Sequence, residues 1–310
     1  MVVISLIGFA VKASLGDPAR ELTGEAASAA EREALRARLG LDDPLSLQYA
    51  RFLAAAAHGD LGASYVFKRP ALEVILSKFP ATFELVLSAA LIVALFSLPA
   101  GLYCALRPRG LLARAIMGLS VLGISVPIFL TGIFAITLFS VELGLLPSFG
   151  RGQTVTLGPW ETSFLTADGL AHLLLPAVTL SSIMLPLFIR LVRGEMLDVL
   201  DQDFIRTAWA KGLPPWRVWI SHGLRNAAIP LVTLGGLQFG TLLAYTILTE
   251  TVFQWPGMGF LFLDAVNRAD VPLIIAYMMV VGVIFVTVNT IVDVLYVLID
   301  PRVSLGVRVR

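Results

Sequence analysis

The sequence predicts an all-α polytopic membrane protein with about six transmembrane helices. Three observations carry that reading. Charged residues make up only 15% of the 310-residue chain, against about a quarter in a soluble domain. The mean hydropathy is +0.84, a deficit of polarity that a core cannot hide, because a chain of this size still exposes much of its surface. Finally, the apolar residues fall into six long segments, most approaching or exceeding the roughly 20 residues needed to cross a bilayer. In hydrocarbon a backbone must satisfy its own hydrogen bonds, so runs of this length are helices.

The first segment, Met1 to Leu15, is short and contains Lys12. It lacks the basic n-region of a signal peptide and is read as a transmembrane helix over residues 1–16 whose upstream part is missing. Residues 17–79 form a long polar region, expected outside the cell, in which "EREALRARLGLDDP" is an amphipathic helix stopping near Gly40. Residues 80–299 hold the remaining spans: Phe83 to Leu106, Ile116 to Val141, Leu170 to Leu191, Ile229 to Leu248 and Leu273 to Ile299. Pro99, Pro127, Pro176 and Pro186 interrupt them, which membrane helices tolerate where neighbours satisfy the freed carbonyl. Residues 300–310 are a tail.

Basic residues in short loops set orientation. Arg107, Arg109 and Arg114 follow the second span; Arg190, Arg193, Arg206, Lys211, Arg217 and Arg225 lie between the fourth and fifth; Arg302, Arg308 and Arg310 close the chain. The opposite short loops hold Arg151 and Arg268 alone. The basic loops and the C-terminus are therefore expected on the cytoplasmic side.

The segment 195–226 is the one long polar stretch between two spans. Leu197, Leu200, Phe204 and Ala208 recur at helical spacing, so one face could pack. Gly212 stops that helix and Pro214 and Pro215 follow, ordinary termination chemistry; a second short helix is expected from Trp216 through Asn226. As a helix-turn-helix it is docked on a partner or laid on the lipid surface by Trp209, Trp216 and Trp219; its length and apolar stripe argue against the third reading, a solvated loop.

Other chemistry is not indicated. Cys104 is the lone cysteine, and His58, His172 and His222 have no metal-ligand spacing. No phosphate loop of the Lys-Ser or Lys-Thr type occurs, so any ATP must be bound by another subunit. No catalytic, cofactor or metal residue is assigned, and nothing points to nucleic acid. Asp293 and Glu84, inside apolar runs, admit an ion-pathway reading, against packing on a partner or solvation at a helix end.

"QDFIRTAWAKGL" followed by "HGLRNAAIPLVT" resembles the signature loop of ABC importer permeases, Glu-Ala-Ala, three residues, then Gly. Arg206, Thr207 and Ala208 take the first three places, Gly212 is the glycine, and Leu224, Arg225 and Asn226 take a later Leu-Pro-Asn place. The departures are those of the dipeptide/oligopeptide/nickel branch. "LGLDDPLSLQYARFL", "GDLGASY", "FPATFELVLSA", "SVPIFLTGI", "GLLPSFG", "LLPAVTLS", "ETVFQWPGMG" and "IVDVLYVLIDPRV" resemble that branch in the expected order, and the chain looks like the first permease of a peptide-type importer.

The resemblance implies a type I importer transmembrane fold with a cytoplasmic coupling helix. It also implies the partners: a homologous second permease forming a heterodimeric pore, two ABC ATPase subunits that bind ATP and Mg, and an extracytoplasmic substrate-binding protein. Phe204, Ile205, Arg206, Thr207, Ala208, Trp209 and Gly212 would couple to the ATPase. Glu250, Phe253, Trp255, Pro256 and Gly257 would form an outer gate or a binding-protein seat, against the reading of a plain tight turn. Dipeptides or oligopeptides are the default solute, with nickel, glutathione, cell-wall peptides or sugars as others in the family. A stand-alone ion-coupled carrier is the rival class, and it should show midplane carboxylates in repeated halves; a lipid-modifying enzyme should show clustered acids or histidines at the interface. Neither pattern occurs.

Overall fold

A computed structural model describes residues 28–39 and 42–299, together with Leu6 and Ala10. Apart from those two helical positions, the expected first span and the tail at 300–310 lie outside the described residues, as does most of the stretch before Ser28.

The elements in chain order are α1 (Ala29–Leu39), α2 (Leu45–Ala57), α3 (Ala71–Leu106), α4 (Leu111–Ser125), α5 (Ile128–Ala135) and a π-helical continuation π1 (Ile136–Glu142). A small hairpin, β1 (Val155–Leu157) and β2 (Trp160–Thr162), precedes α6 (Ala167–Leu200) and α7 (Asp203–Ala210). Then come α8 (Pro215–Arg217), π2 (Val218–Leu224), α9 (Arg225–Val252), α10 (Met258–Asn267) and α11 (Val271–Ile299). Among the described residues four helices are long and apolar enough to cross a membrane, or five counting one bent pair.

The bent pair covers the third span expected from Ile116 to Val141, as two helices instead of one. α4 and α5–π1 meet at 111°. Pro127 has no N–H to continue the ladder, and it pushes Val126 to extended backbone, φ −91° and ψ 124°. Pro176 and Pro186, by contrast, stay inside one continuous α6, onto which α4, α5 and α9 all pack. The helices also outrun their apolar segments: α3 has 36 residues and α6 has 34. At about 1.5 Å per residue each exceeds the roughly 30 Å hydrocarbon layer.

The chain divides into two compact units, Met1–Thr82 with Thr156–Glu161 and Pro256–Ile284, and Phe83–Val155 with Thr162–Trp255 and Phe285–Arg310. In the first unit α1 opens on a reciprocal cap. Glu31 N donates to Ser28 Oγ at 3.2 Å and Ser28 N donates to Glu31 Oε2 at 3.0 Å, a capping box. The helix expected in this stretch is described over Ala29–Leu39. Asp270, fully buried, fastens this unit: it accepts from the Ser64 hydroxyl and, at 3.1 Å each, from the amides of Tyr65 and Val66.

In the second unit the C-terminal halves of α3 and α6 meet the start of α9 in a core of Ala105, Val192, Met196, Ala227 and Leu231. Those three helix ends are the ones that carry the basic loops, so the loops grouped by charge do share one end of the bundle.

Candidate functional site

The short polar helix is built on a hydrophobic foot. α6 ends at Leu200, and a turn through Asp201 and Gln202 opens α7. Ile205 and Ala208, one helical turn apart, are buried with Val218 against Val199, Leu200 and Leu213. Phe204 and Trp209, each 43% exposed, flank that buried pair on its two sides, and Arg206 and Thr207 point away from it. The expected stripe of Leu197, Leu200, Phe204 and Ala208 is therefore corrected: Phe204 faces out and Ile205 faces in. The turn at Asp201 and Gln202 resets the phase of the helix, so a 3.6-residue period does not carry across it.

α7 stops as its sequence demands. Gly212 has φ +70°, a left-handed conformation that glycine adopts without cost. Its amide donates to Trp209 O at 2.9 Å, and Leu213 N donates to Ala208 O at 3.3 Å. That pair is a Schellman stop, with Leu213 packed back on the foot. Nothing lies within 4 Å of a Cβ built at Gly212, so within this chain the residue is required by backbone conformation, not by space. Arg206 bonds Asp203 Oδ1 at 3.2 Å and Asp201 Oδ1 at 3.5 Å, all three side chains being more than two-thirds exposed. Such pairs contribute about 0–1 kcal/mol.

The second short helix expected from Trp216 to Asn226 is also corrected. It begins at Pro215, passes through π2 and runs on into α9 without a break. Nothing between Val218 and Pro230 terminates a helix: Asn226 bonds back to His222 O at 2.6 Å, and Gly223 serves close packing, since a Cβ there would sit 2.8 Å from Met196 Cε. A π segment beside a site of this kind is a recurrent companion of function.

The residues expected for an outer gate lie at the far end of α9. Glu250, Phe253 and Trp255 are 0–1% exposed, inside the second unit instead of on a surface loop. Trp255 N donates to Glu250 O at 2.8 Å, and Gly150 N donates to Phe253 O at 2.9 Å. Gln254, between the two aromatics, has φ +48°, a region non-glycine residues enter at a cost. Pro256 and Gly257 belong to the first unit, where Gly257 opens α10 with extended backbone. The α7 residues and the Glu250–Trp255 group are thus two separate regions at opposite ends of α9.

Beside that outer group stands a buried ion pair that sequence reasoning missed. Arg151 Nη2 donates to Glu84 Oε2 at 2.9 Å, with side-chain exposures of 7% and 0%. Arg151 Nε donates to Ser163 Oγ at 2.9 Å, and Ser163 N donates to Glu84 at 3.1–3.2 Å. The guanidinium also lies 5.9 Å from the Trp255 ring centroid. Glu84 is therefore neither solvated at a helix end nor a lone intramembrane charge, and Arg151, though in a loop, is a buried partner and not a solvated loop charge. The signal available beforehand was a single acid inside an apolar run and a single base in an otherwise uncharged short loop. Asp293, in contrast, is exposed on α11. Among the described residues no cluster of three or more His, Cys, Asp or Glu could hold a metal.

Residues 97–305 match the family model of the binding-protein-dependent transport system inner membrane component, and residues 1–86 match the N-terminal model of such membrane components. The di/tripeptide transport system permease protein DppB of Pseudomonas aeruginosa is 41% identical, over 97% of this chain and 94% of that protein. The dipeptide transport system permease protein DppB of Escherichia coli is 39% identical with the same coverage. The glutathione transport system permease protein GsiC of Escherichia coli is 38% identical over 93% of this chain and 89% of that protein. Among solved structures, a chain of the MetNI methionine ABC transporter in inward-facing conformations aligns with a TM-score of 0.53 at 19% identity, over 74% of this chain and 96% of that chain, a likeness of fold.

Proposed function

The chain belongs to the family of binding-protein-dependent transport system inner membrane components, and from that premise we propose that it is one of two permeases forming the pore of a peptide-type ABC importer. Residues 80–299 are its permease core, with the coupling loop at about 195–226. The basic end of the bundle faces the cytoplasm, together with the 300–310 tail.

The observation that carries this reading is the division of α7 into two faces. Ile205 and Ala208 anchor it to the chain's own foot, while Phe204, Thr207 and Trp209 stand outward. Half-exposed aromatics on both flanks of a short, firmly stopped helix suit a groove that closes around it on a soluble subunit; aromatics at the centre of an interface often cost about 2 kcal/mol or more on truncation. The groove belongs to an ATPase subunit that binds ATP and Mg, and Gly212 keeps the helix in register with it. Closure of the ATPase pair moves α7 and, through its packing on Val218, the long helix of π2 and α9. At the other end, Glu250, Phe253 and Trp255 position the outer closure of the pore, and Pro256 and Gly257 lie where a substrate-binding protein docks.

The transported solute is a short peptide, a class that includes glutathione, as the names of the relatives support. Reconstitution with a second permease, two ATPases and a binding protein tests the reading: the complete set should accumulate a labelled dipeptide when ATP is supplied, and the chain alone should transport nothing. Uptake by the chain alone would identify a stand-alone carrier. A Trp209→Cys variant should cross-link to the ATPase subunit, and failure to do so in an active assembly would remove α7 from the coupling path.

A further inference from the structure

A cavity of about 600 Å³ lies among α3, α6, π2 and α9, within the range of about 300–1,000 Å³ typical of ligand sites. Arg225, Ala228, Val232, Gly235, Phe239 and Leu242 line it from α9. Their spacing of three and four residues is one helical face, and 17 residues of rise make it roughly 26 Å long. Ala90, Val93, Ala94, Ser97 and Leu98 repeat the pattern on α3.

The wall is almost wholly apolar. Ser97, Gln238 and Arg225 are its only polar side chains. Ser97 Oγ is buried and has no hydrogen-bond partner among the described residues, although Ser120, Thr137 and Thr251 each bond a carbonyl four residues back. A peptide would bring an N–H and a C=O with every residue, and each one buried unpaired opposes binding. This wall offers too few partners for it. A hydrocarbon chain needs none. At the basic end of the bundle the cavity reaches Arg225, exposed and without a carboxylate partner among the described residues. A guanidinium there is matched by a phosphate, which it binds through paired hydrogen bonds.

We propose that this cavity holds the acyl chain of an anionic phospholipid, its phosphate at Arg225 and its tail along the α9 face. The inference needs only that these helices lie in a membrane and is independent of the ATPase and substrate assignments.

The test uses the full chain in nanodiscs of phosphatidylethanolamine containing a phosphatidylglycerol probe with a photoreactive group at the end of its acyl chain. Labelling should fall on peptides covering residues 90–98 and 225–242, and should exceed that by a matched phosphatidylcholine probe. Gly235→Phe should cut it about ten-fold; a Cβ at Gly235 meets only Phe188 at 3.8 Å, so the added ring enters the cavity. Arg225→Gln should abolish the preference for the anionic probe while keeping the label. Should Gly235→Phe fail to accumulate in the membrane, Ala228→Leu takes its place, with a smaller reduction. Labelling of these peptides unchanged by the filling variants, equal labelling by the two probes in the unaltered chain, or displacement of the label by an apolar tripeptide would each overturn the proposal, the last by making the cavity a peptide site.

Discussion

Arg151 and Arg206 carry the same guanidinium and stand at opposite ends of one helical bundle, yet their surroundings differ in every respect that sets an electrostatic energy. Arg151 has 7% of its side chain exposed and pairs with a fully buried Glu84. Arg206 has 69% exposed and pairs with Asp203 and Asp201, themselves 95% and 88% exposed. At the first site water is excluded, so each charge depends on its partner. At the second, water screens the pair and the charges contribute little to the fold. The outer end is a closed polar lock within the chain. The α7 end is an anchored peg whose outward face is left open by the described residues.

The sharpest way to break this contrast is Arg151→Met, which strands Glu84 as an unpaired buried charge. It should destabilise the protein by about 3–5 kcal/mol, read as thermal unfolding in detergent. Adding Glu84→Gln should recover much of that loss, and a double variant as unstable as the sum of the singles would deny that the two groups form a unit. Ile205→Ala comes next: removing a buried side chain from the foot should cost about 2–4 kcal/mol, but as local opening around α7 in hydrogen exchange rather than lower global stability. Gly212→Val should cost about 1–2 kcal/mol, the penalty of a left-handed backbone on an L-residue. It should leave membrane insertion intact while uncoupling uptake from ATP hydrolysis; Gly212→Asn, which tolerates that backbone better, should retain uptake. Arg206→Ala should change thermal stability by less than about 1 kcal/mol.

Smallest of all is a pH effect at Glu31. The bonds from the Ser28 amide and hydroxyl hold its carboxyl below the usual carboxylate value. A lowered pKa stabilises α1 above the unfolded carboxylate's pKa, and that stabilisation is lost as pH falls through the lowered value. Exchange of the α1 amides should therefore quicken on acidification there; Glu31→Gln should remove the dependence, and Ser28→Ala, which keeps the backbone amide bond, should only weaken it.

How much of this was legible beforehand follows from the range over which each signal acts. The spans from Phe83 onward were readable because lipid imposes long apolar runs, and the stop of α7 was readable because Gly212 and the two prolines act within a few residues. The break at Pro127 was harder: the same residue type continues a helix at Pro176 and Pro186, where three neighbouring helices hold α6 together. The outward turn of Phe204 depended on a two-residue phase reset. Glu84 and Arg151 are 67 residues apart, and no local pattern announces a partner at that distance. Phe253 and Trp255 misled in the other direction, since aromatics among turn residues suggest an exposed loop while the fold seals them inside. The residues proposed for coupling come from resemblance to a family motif, whose glycine has a local physical reason and whose exposed positions have none within this chain.

The uninterrupted helix from Pro215 to Val252 has 38 residues, a stiff rod of roughly 55 Å. A rod pivoting near its middle works as a lever: a tilt of about 10° swings each tip sideways by roughly 5 Å in opposite directions. A modest push on α7 would thus be delivered as a lateral throw beneath Phe253 and Trp255, with no need for a relay of side chains in between.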